Sequence, residues 1–317
     1  MALNKKICLF GGTGFLGTCI IRLLAKNGHQ IKIATRSTFD EDALELKSTV
    51  SDPGQIKLQK INIHSDRDVE NFIKESDICI NLVGILFEKG QSTFDRVHTE
   101  FVERLTNFIS KEQSIKHFIH FSSLGVRAGT ESKYLESKFK AEEIIKSKLN
   151  NYTIIKPSVV FGGGKNDFTN MFAKLASLFP VIPLAGAHVK FAPVYVGDIA
   201  KGIEKIINDE LKNETFEFVG EEVFTLEELV KLISTEIRVK NLIIPVPSWV
   251  GRMQGRVLGL APKPMLTLDQ VKTLESGDNI STGNNKTLKD LNISLEALRK
   301  IIPNYLWRYR REGQFAK

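Results

Sequence analysis

Cysteine is scarce in this chain of 317 residues: Cys8, Cys19 and Cys79 form an odd set among apolar neighbours, without CxxC spacing. A disulfide framework, a CxxC redox pair and a cysteine zinc site are thereby excluded as organising features, and a reducing compartment is the default. Histidine is equally thin, with six residues and no HExxH. His117 and His120 lie three apart in an expected strand, where they point to opposite faces rather than chelating together. No metal site is expected. The chain also lacks a long apolar run. Its most membrane-like window, Met171 to Ala187, is broken by Lys174, Pro180 and Pro183 and falls short of the ~20 apolar residues a spanning helix needs. Met1 to Lys6 lead straight into an apolar strand, with neither a signal-peptide core nor an Arg/Ser-rich transit stretch. The expected location is cytoplasmic.

What is present is ordinary globular composition: 42% hydrophobic and 26% charged residues with a mean hydropathy of -0.11, which exclude a disordered, collagen-like or coiled-coil chain. The length suits one large or two intimate domains. The net charge of +7 comes from 44 basic and 37 acidic residues, and the lysines are scattered as on a solvated surface. Basic residues cluster only at the end, where Tyr305, Trp307 and Tyr309 alternate with Arg308, Arg310 and Arg311. Such a tail suits acidic lipid headgroups or an acidic protein partner, and a nucleic-acid role ranks last.

Short apolar runs alternate with helical patterns through the first half. The runs are Ile7 to Phe10, Ile31 to Thr35, Lys57 to Ile63, Ile78 to Leu82, His117 to Phe121 and Tyr152 to Lys156. Between them, Leu16 to Lys26, Val69 to Lys74, Phe94 to Lys111 and Tyr134 to Lys148 can serve as crossover helices. This grammar predicts an α/β, Rossmann-type, doubly wound parallel sheet. Residues 1–157 are read as the nucleotide-binding domain, its sheet completed by later segments. Residues 158–317, opening on Gly162-Gly163-Gly164, are read as a smaller substrate or docking region. Thr225 with Glu228 and Thr267 with Gln270 have capping-box spacing, so a helix is expected to start at each.

Gly11-Gly12-Thr13-Gly14-Phe15-Leu16-Gly17 follows the first strand and opens the first helix, the context that turns a glycine pattern into a dinucleotide site. The glycines allow a tight turn and let pyrophosphate approach backbone N–H groups at the positive end of the helix. At the end of the second strand, where an NAD-specific site places a carboxylate on the ribose, the chain reads Ala34-Thr35-Arg36-Ser37. Arg36 can pair with a 2′-phosphate, so NADP(H) is favoured over NAD(H).

Tyr134 and Lys138 form a YxxxK pair on one helical face, where an ammonium can lower the phenol's pKa and contact a nicotinamide ribose. The spacing is common by chance, and position gives it weight: the pair follows a strand that ends in Ser122 and Ser123. One of these hydroxyls can orient a carbonyl while Tyr134 donates a proton.

From Gly11 through Tyr134 and Lys138 the chain resembles an extended, atypical short-chain dehydrogenase/reductase. More narrowly, Phe191-Ala192-Pro193-Val194-Tyr195-Val196-Gly197-Asp198-Ile199-Ala200, Ser132-Lys133-Tyr134-Leu135 and Tyr305-Leu306-Trp307-Arg308-Tyr309 resemble the reductase-like accessory subunits of respiratory complex I, an NADH:ubiquinone oxidoreductase, in a bacterial relative. The resemblance implies that Gly11, Gly14 and Gly17 hold the pyrophosphate, with Thr13, Phe15 and Leu16 in the same turn, and that Arg36 holds the 2′-phosphate. It puts Asn62 at the adenine and Leu82, Val83 and Gly84 beside the ribose and nicotinamide. It further implies Ser122, Tyr134 and Lys138 around that ribose, Lys156 and Pro157 closing the nicotinamide side, and Ser123, Tyr134 and Lys138 as the catalytic set. Active relatives carry Asn where Val97-His98 stands, and Asp is common where Asn62 stands.

The resemblance implies an NADP(H)-binding module, associated with complex I or a quinone pathway at the membrane, whose cofactor is largely structural. Its rival is an NADPH-dependent oxidoreductase acting on a carbonyl or quinone-related substrate, and a sugar-nucleotide epimerase is a weaker variant. His98 is read as a packed or capping residue. Asp198 is read as a carboxylate stabilising a helix start. Finally, Ser248 to Leu260 places Trp249, Met253, Val257 and Leu260 on one helical stripe, with Gly251, Gly255 and Gly259 at i+4 and Arg252 and Arg256 as a basic face. Internal packing is the leading reading of that segment, with docking at a peripheral membrane surface or on a partner as the alternative.

Overall fold

The computed structural model describes residues 4–38, 45–46, 54–164, 167–311 and 313. Its centre is an eight-stranded sheet in which every pairing is parallel. The first six strands are β1 (Lys6–Phe10), β2 (Gln30–Thr35), β3 (Ile56–Lys60), β4 (Ile78–Asn81), β5 (His117–Phe121) and β6 (Tyr152–Pro157). Two later strands extend the β6 edge: β11 (Glu214–Phe218) pairs with β6, and β14 (Lys286–Thr287) pairs with β11. The order 3-2-1-4-5-6-11-14 places the strand reversal between β1 and β4. Side chains of the central strands are mostly apolar on both faces because helices cover both sides, and the buried polar ones are paired, Asn81 with His120 at 3.2 Å and His117 with Thr153 at 2.7 Å.

One face carries α1 (Phe15–Lys26) and α6 (Val196–Asn208), which bury Ile20, Leu24, Ile199 and Ile203 against Leu9, Ile33 and Ile80. The other carries α2 (Asp66–Ile73), α3 (Phe101–Ile109) and α4 (Lys133–Lys148). There Phe10 meets Phe72 at 4.8 Å and Phe101 at 5.4 Å, both edge-on, pairs worth about 0.5–1.5 kcal/mol each beyond burial. A π-helical turn, Asp95–Glu100, leads into α3 and carries His98 inward.

A third core lies beyond β6. It is built from α5 (Phe168–Leu178), β8 (Val181–Ala185), β9 (Lys190–Phe191) and α7 (Leu226–Glu236), together with the short helices α10 (Leu298–Ile301) and α11 (Pro303–Leu306). The remaining short strands, β7 (Val160–Phe161), β10 (Val194–Tyr195), β12 (Phe224–Thr225) and β13 (Leu242–Val246), form two-stranded ribbons with one another or with β8 and β9. The helices α8 (Ser248–Leu258) and α9 (Leu268–Glu275) pack on this region. Both predicted capping boxes are formed, Thr225 with Glu228 at α7 and Thr267 with Gln270 at α9.

The stripe on α8 splits its roles by residue size. Gly251 and Gly255 are buried, because a side chain at Gly251 would strike Ala185 and one at Gly255 the backbone of Thr267 and Leu268. Trp249, Met253 and Val257 face outward, 68%, 53% and 64% exposed. No helix among the described residues is long and apolar enough to cross a membrane.

Candidate cofactor and active site

The glycine turn joins β1 to α1 with a division of labour among its members. Gly11 has φ +79°, and a Cβ there would lie 3.0 Å from the Leu82 carbonyl carbon. A Cβ on Gly17 would lie 2.6 Å from the Gly12 carbonyl oxygen, so Gly17 seats the helix on the strand. Gly14 differs: it is exposed, and its Cβ would meet only the Gly11 carbonyl oxygen at 3.6 Å. Gly14 is also the N-cap of α1, without a side-chain cap and with no acid in the first turn. The N–H groups at the start of α1 therefore face an open, electropositive cradle, the fit required by a pyrophosphate. Thr13 and Leu16 are half-buried in this turn, and the Phe15 ring packs against Gly162 and Gly164.

At the end of β2, Arg36 is exposed, and no carboxylate pairs with it among the described residues. Asn62, after β3, is exposed, and its side-chain oxygen accepts the His64 N–H at 3.0 Å. That oxygen keeps a second lone pair for an external donor.

The segment after β4 forms the next wall. Leu82 N–H donates to the Phe10 carbonyl at 3.0 Å, and Val83 N–H donates to Asn81 Oδ1 at 3.0 Å. Gly84 is exposed, and a Cβ there would lie 3.5 Å from His98 Nε2 and 3.6 Å from Lys138 Nζ. His98 is 1% exposed. Its Nε2 accepts the Ile85 N–H at 3.0 Å and its Nδ1 lies 2.9 Å from Ser137 Oγ, whose own proton goes to the Tyr134 carbonyl at 2.8 Å. These partners fix the neutral tautomer with the proton on Nδ1. Burial, reinforced by Lys138 and then His120, pushes the His98 pKa down to about 2. His98 is thus a packed residue that holds the β4 segment.

Lys138 is buried, and its ammonium donates to the Phe121 carbonyl at 2.9 Å. Burial lowers its pKa to about 8 against the opposing pull of Glu142. Contrary to the expected lowering by the Lys138 ammonium, the Tyr134 phenol is raised, because burial outweighs its hydrogen bond with Ser123 and Lys138 makes no contribution. Ser123, Tyr134 and Lys138 are therefore gathered at the end of β5. The two serines separate: Ser123 meets Tyr134, whereas the buried Ser122 hydroxyl donates to Glu142 at 2.5 Å. Glu142, only 3% exposed, also holds Lys156 at 3.3 Å, and Lys156 reaches the Val126 carbonyl at 3.2 Å. Pro157 accepts the Leu124 N–H at 3.0 Å. Lys156 and Ser122 thus share the buried Glu142 beneath the site. Sequence reasoning missed Glu142, although it lies one helical turn after Lys138.

A cleft of about 620 Å3 lies between the Phe87–Phe94 segment, the start of α4 and the α8–α9 connection. Phe94 separates it from the Tyr134 ring, which it meets edge-on at 5.7 Å. Asp269, on α9, was also missed. It accepts the Lys133 and Tyr134 N–H groups at 2.7 and 3.1 Å, a contact across more than 130 positions that no local pattern signals.

The terminal aromatic-basic motif is largely engaged. Tyr305 covers Gly163, its hydroxyl lies 2.7 Å from Thr169 Oγ1, and Leu306 is fully buried. Arg308 reaches the Gly163 carbonyl at 3.2 Å, and Arg310 pairs with Glu236. Trp307 is half-buried and Arg311 exposed. Asp198 lies in the first turn of α6 as expected, and it also accepts the Glu296 N–H at 2.7 Å, tethering the C-terminal segment.

The model of the NmrA-like family matches residues 3–250. The mitochondrial NADH dehydrogenase (ubiquinone) 1 alpha subcomplex subunit 9 of Mus musculus is 31% identical over 305 residues, covering 92% of this chain and 79% of that protein. The mitochondrial NADH-ubiquinone oxidoreductase 40 kDa subunit of Neurospora crassa is 26% identical over 309 residues, covering 97% of this chain and 80% of that protein. The solved NADPH-dependent quinone oxidoreductase of Escherichia coli, complexed with NADPH, shares the fold with a TM-score of 0.73 at 15% identity, over 94% of this chain and 99% of that one.

Proposed function

The chain belongs to the NmrA-like family, and on that premise we propose that it is an NADP(H)-binding, reductase-like protein with a largely structural cofactor, docked on a respiratory NADH:ubiquinone oxidoreductase or a quinone pathway at the membrane. The observation that carries this reading is the pairing of an open, uncapped cradle at Gly14 with a His98 that is buried, neutral and committed at both nitrogens beside Tyr134 and Lys138. Both relatives named above are subunits of such an oxidoreductase.

The first turn of α1 would bind the pyrophosphate through its N–H groups, and Arg36 would meet the 2′-phosphate. Asn62 would face the adenine, and Leu82, Val83 and Gly84 would flank the ribose and nicotinamide. Ser122, Tyr134 and Lys138 would surround that ribose, and Lys156 and Pro157 would close the nicotinamide side. A bound reduced nicotinamide supplies a hydride. With its phenol raised by burial, Tyr134 holds its proton at neutral pH, and the Ser123 hydroxyl is its hydrogen-bond partner. The same contact favours a second reading, NADPH-dependent reduction of a carbonyl or quinone-related substrate with Tyr134 as acid and Ser123 as orienting group.

For location, the outward stripe on α8 supports a peripheral position at the inner face of the cell membrane. The test of the central reading is thermal: NADPH at a hundredfold excess over its Kd stabilises the native state by about 2.7 kcal/mol. An unchanged melting temperature overturns it.

A further inference from the structure

Helix α4 brings Tyr134 and Lys138 to the site, and its first turn is held from the C-terminal region. Ser132, the N-cap, accepts the Leu135 N–H at 3.3 Å. Asp269 of α9 then takes three donors from the same turn: Lys133 N–H at 2.7 Å, Tyr134 N–H at 3.1 Å and Ser132 Oγ–H at 2.9 Å. Thr273, one turn along α9, lies 2.8 Å from Ser132 Oγ. Backbone amides at a helix start have no partner within the helix, and a carboxylate is their strongest acceptor.

Helix α9 is itself fixed to α8. Gly255 lies against the Thr267–Leu268 backbone, and Arg252 bridges Glu275 at 2.6 Å and Glu131 at 3.3 Å. Arg127, from the segment before α4, donates to the Ser276 carbonyl. The start of α4, α9 and α8 therefore form one packed unit, with Tyr134 and Lys138 at one end and the exposed face of α8 at the other.

We propose that Asp269 is a positioning residue that couples the α8–α9 unit to Tyr134 and Lys138, so that nucleotide binding and order in α8–α9 reinforce each other. The inference rests on the reading of this site as a nicotinamide-nucleotide site. Linkage makes the effect reciprocal: whatever fixes α8 and α9 tightens nucleotide binding by the same factor by which nucleotide tightens them.

The experiment is amide hydrogen exchange on the full chain with and without NADPH, with a fluorescence titration of NADPH, for wild type, Asp269→Asn and Asp269→Glu. Asn keeps the size but loses the charge and one acceptor oxygen, whereas Glu keeps both oxygens. In wild type, NADPH slows exchange in the glycine turn and also in residues 268–276. In Asp269→Asn the glycine turn stays protected, protection of 268–276 is lost, and NADPH binds about tenfold more weakly. Asp269→Glu recovers part of both effects. Equal affinity and equal protection in wild type and Asp269→Asn overturn the coupling. So does a wild type that binds NADPH without protecting 268–276, a result that needs no variant to fold. A wild type that binds no NADPH overturns the functional reading and the coupling together.

Discussion

His98 Nε2 accepts the Ile85 N–H at 3.0 Å, so an imidazole on the π-helical turn holds the backbone that runs on from β4. The ring is neutral and enclosed. The group is a clamp on the β4 segment, with both nitrogens committed.

This clamp gives a pH-dependent stability. The folded pKa of about 2 lies below the ordinary 6.5, so between those values the unfolded chain binds more protons and stability rises with pH. The His98 contribution is therefore complete above pH 6.5 and is lost as pH falls towards 2. In urea unfolding, His98→Gln should lose less stability than wild type between pH 7.5 and 5, by about 2 kcal/mol. Parallel losses in the two proteins contradict the clamp.

Gly14 and Gly17 should separate binding from folding. Gly17→Ala drives a methyl group into the Gly12 backbone and should cost about 3 kcal/mol or prevent folding. Gly14→Ala meets only ordinary contact, so its melting temperature without nucleotide should stay close to wild type while NADPH binds about tenfold more weakly. Titration and thermal melts on the same samples check both outcomes.

Arg36 should set cofactor preference without affecting the fold. It is exposed, so Arg36→Ala should leave stability within about 0.5 kcal/mol. Its pairing with a 2′-phosphate is worth about 1.5–3 kcal/mol, so the variant should lose a tenfold or larger preference for NADPH over NADH. Parallel titrations decide the matter, and an unchanged ratio removes Arg36 from the site.

The outer face of α8 should be dispensable for folding and required for docking. Trp249→Ser with Met253→Ser removes two exposed side chains, so the melt should stay near wild type while co-sedimentation with vesicles containing anionic lipid falls several-fold. Retention equal to wild type contradicts membrane docking through this face.

Much of this was legible in the sequence because it is local. The glycine turn, YxxxK on one helical face and two capping boxes each depend on residues within a few positions, and the alternation of apolar runs gave six sheet strands with small shifts at their ends. Contacts across long separations were not legible. Completion of the sheet by later segments was expected, but which segments supply it, β11 and β14, and the seat of Asp269 on the start of α4 depend on how the chain returns. The α8 stripe shows the same limit: its spacing identified a helix with small and large faces, but only packing shows that the glycines turn inward and Trp249 outward.

The central claim, a retained and largely structural NADP(H), is tested most directly by anaerobic purification, mass analysis of the released nucleotide, and a chase of the holoprotein with excess unlabelled NADP+, quinones and carbonyl compounds. The account predicts NADP(H) at close to one per chain, with any bound NADPH still reduced after the chase. Rapid oxidation with stoichiometric product contradicts a structural role and makes the protein an enzyme, and a purified chain that carries no nucleotide contradicts the account at its root.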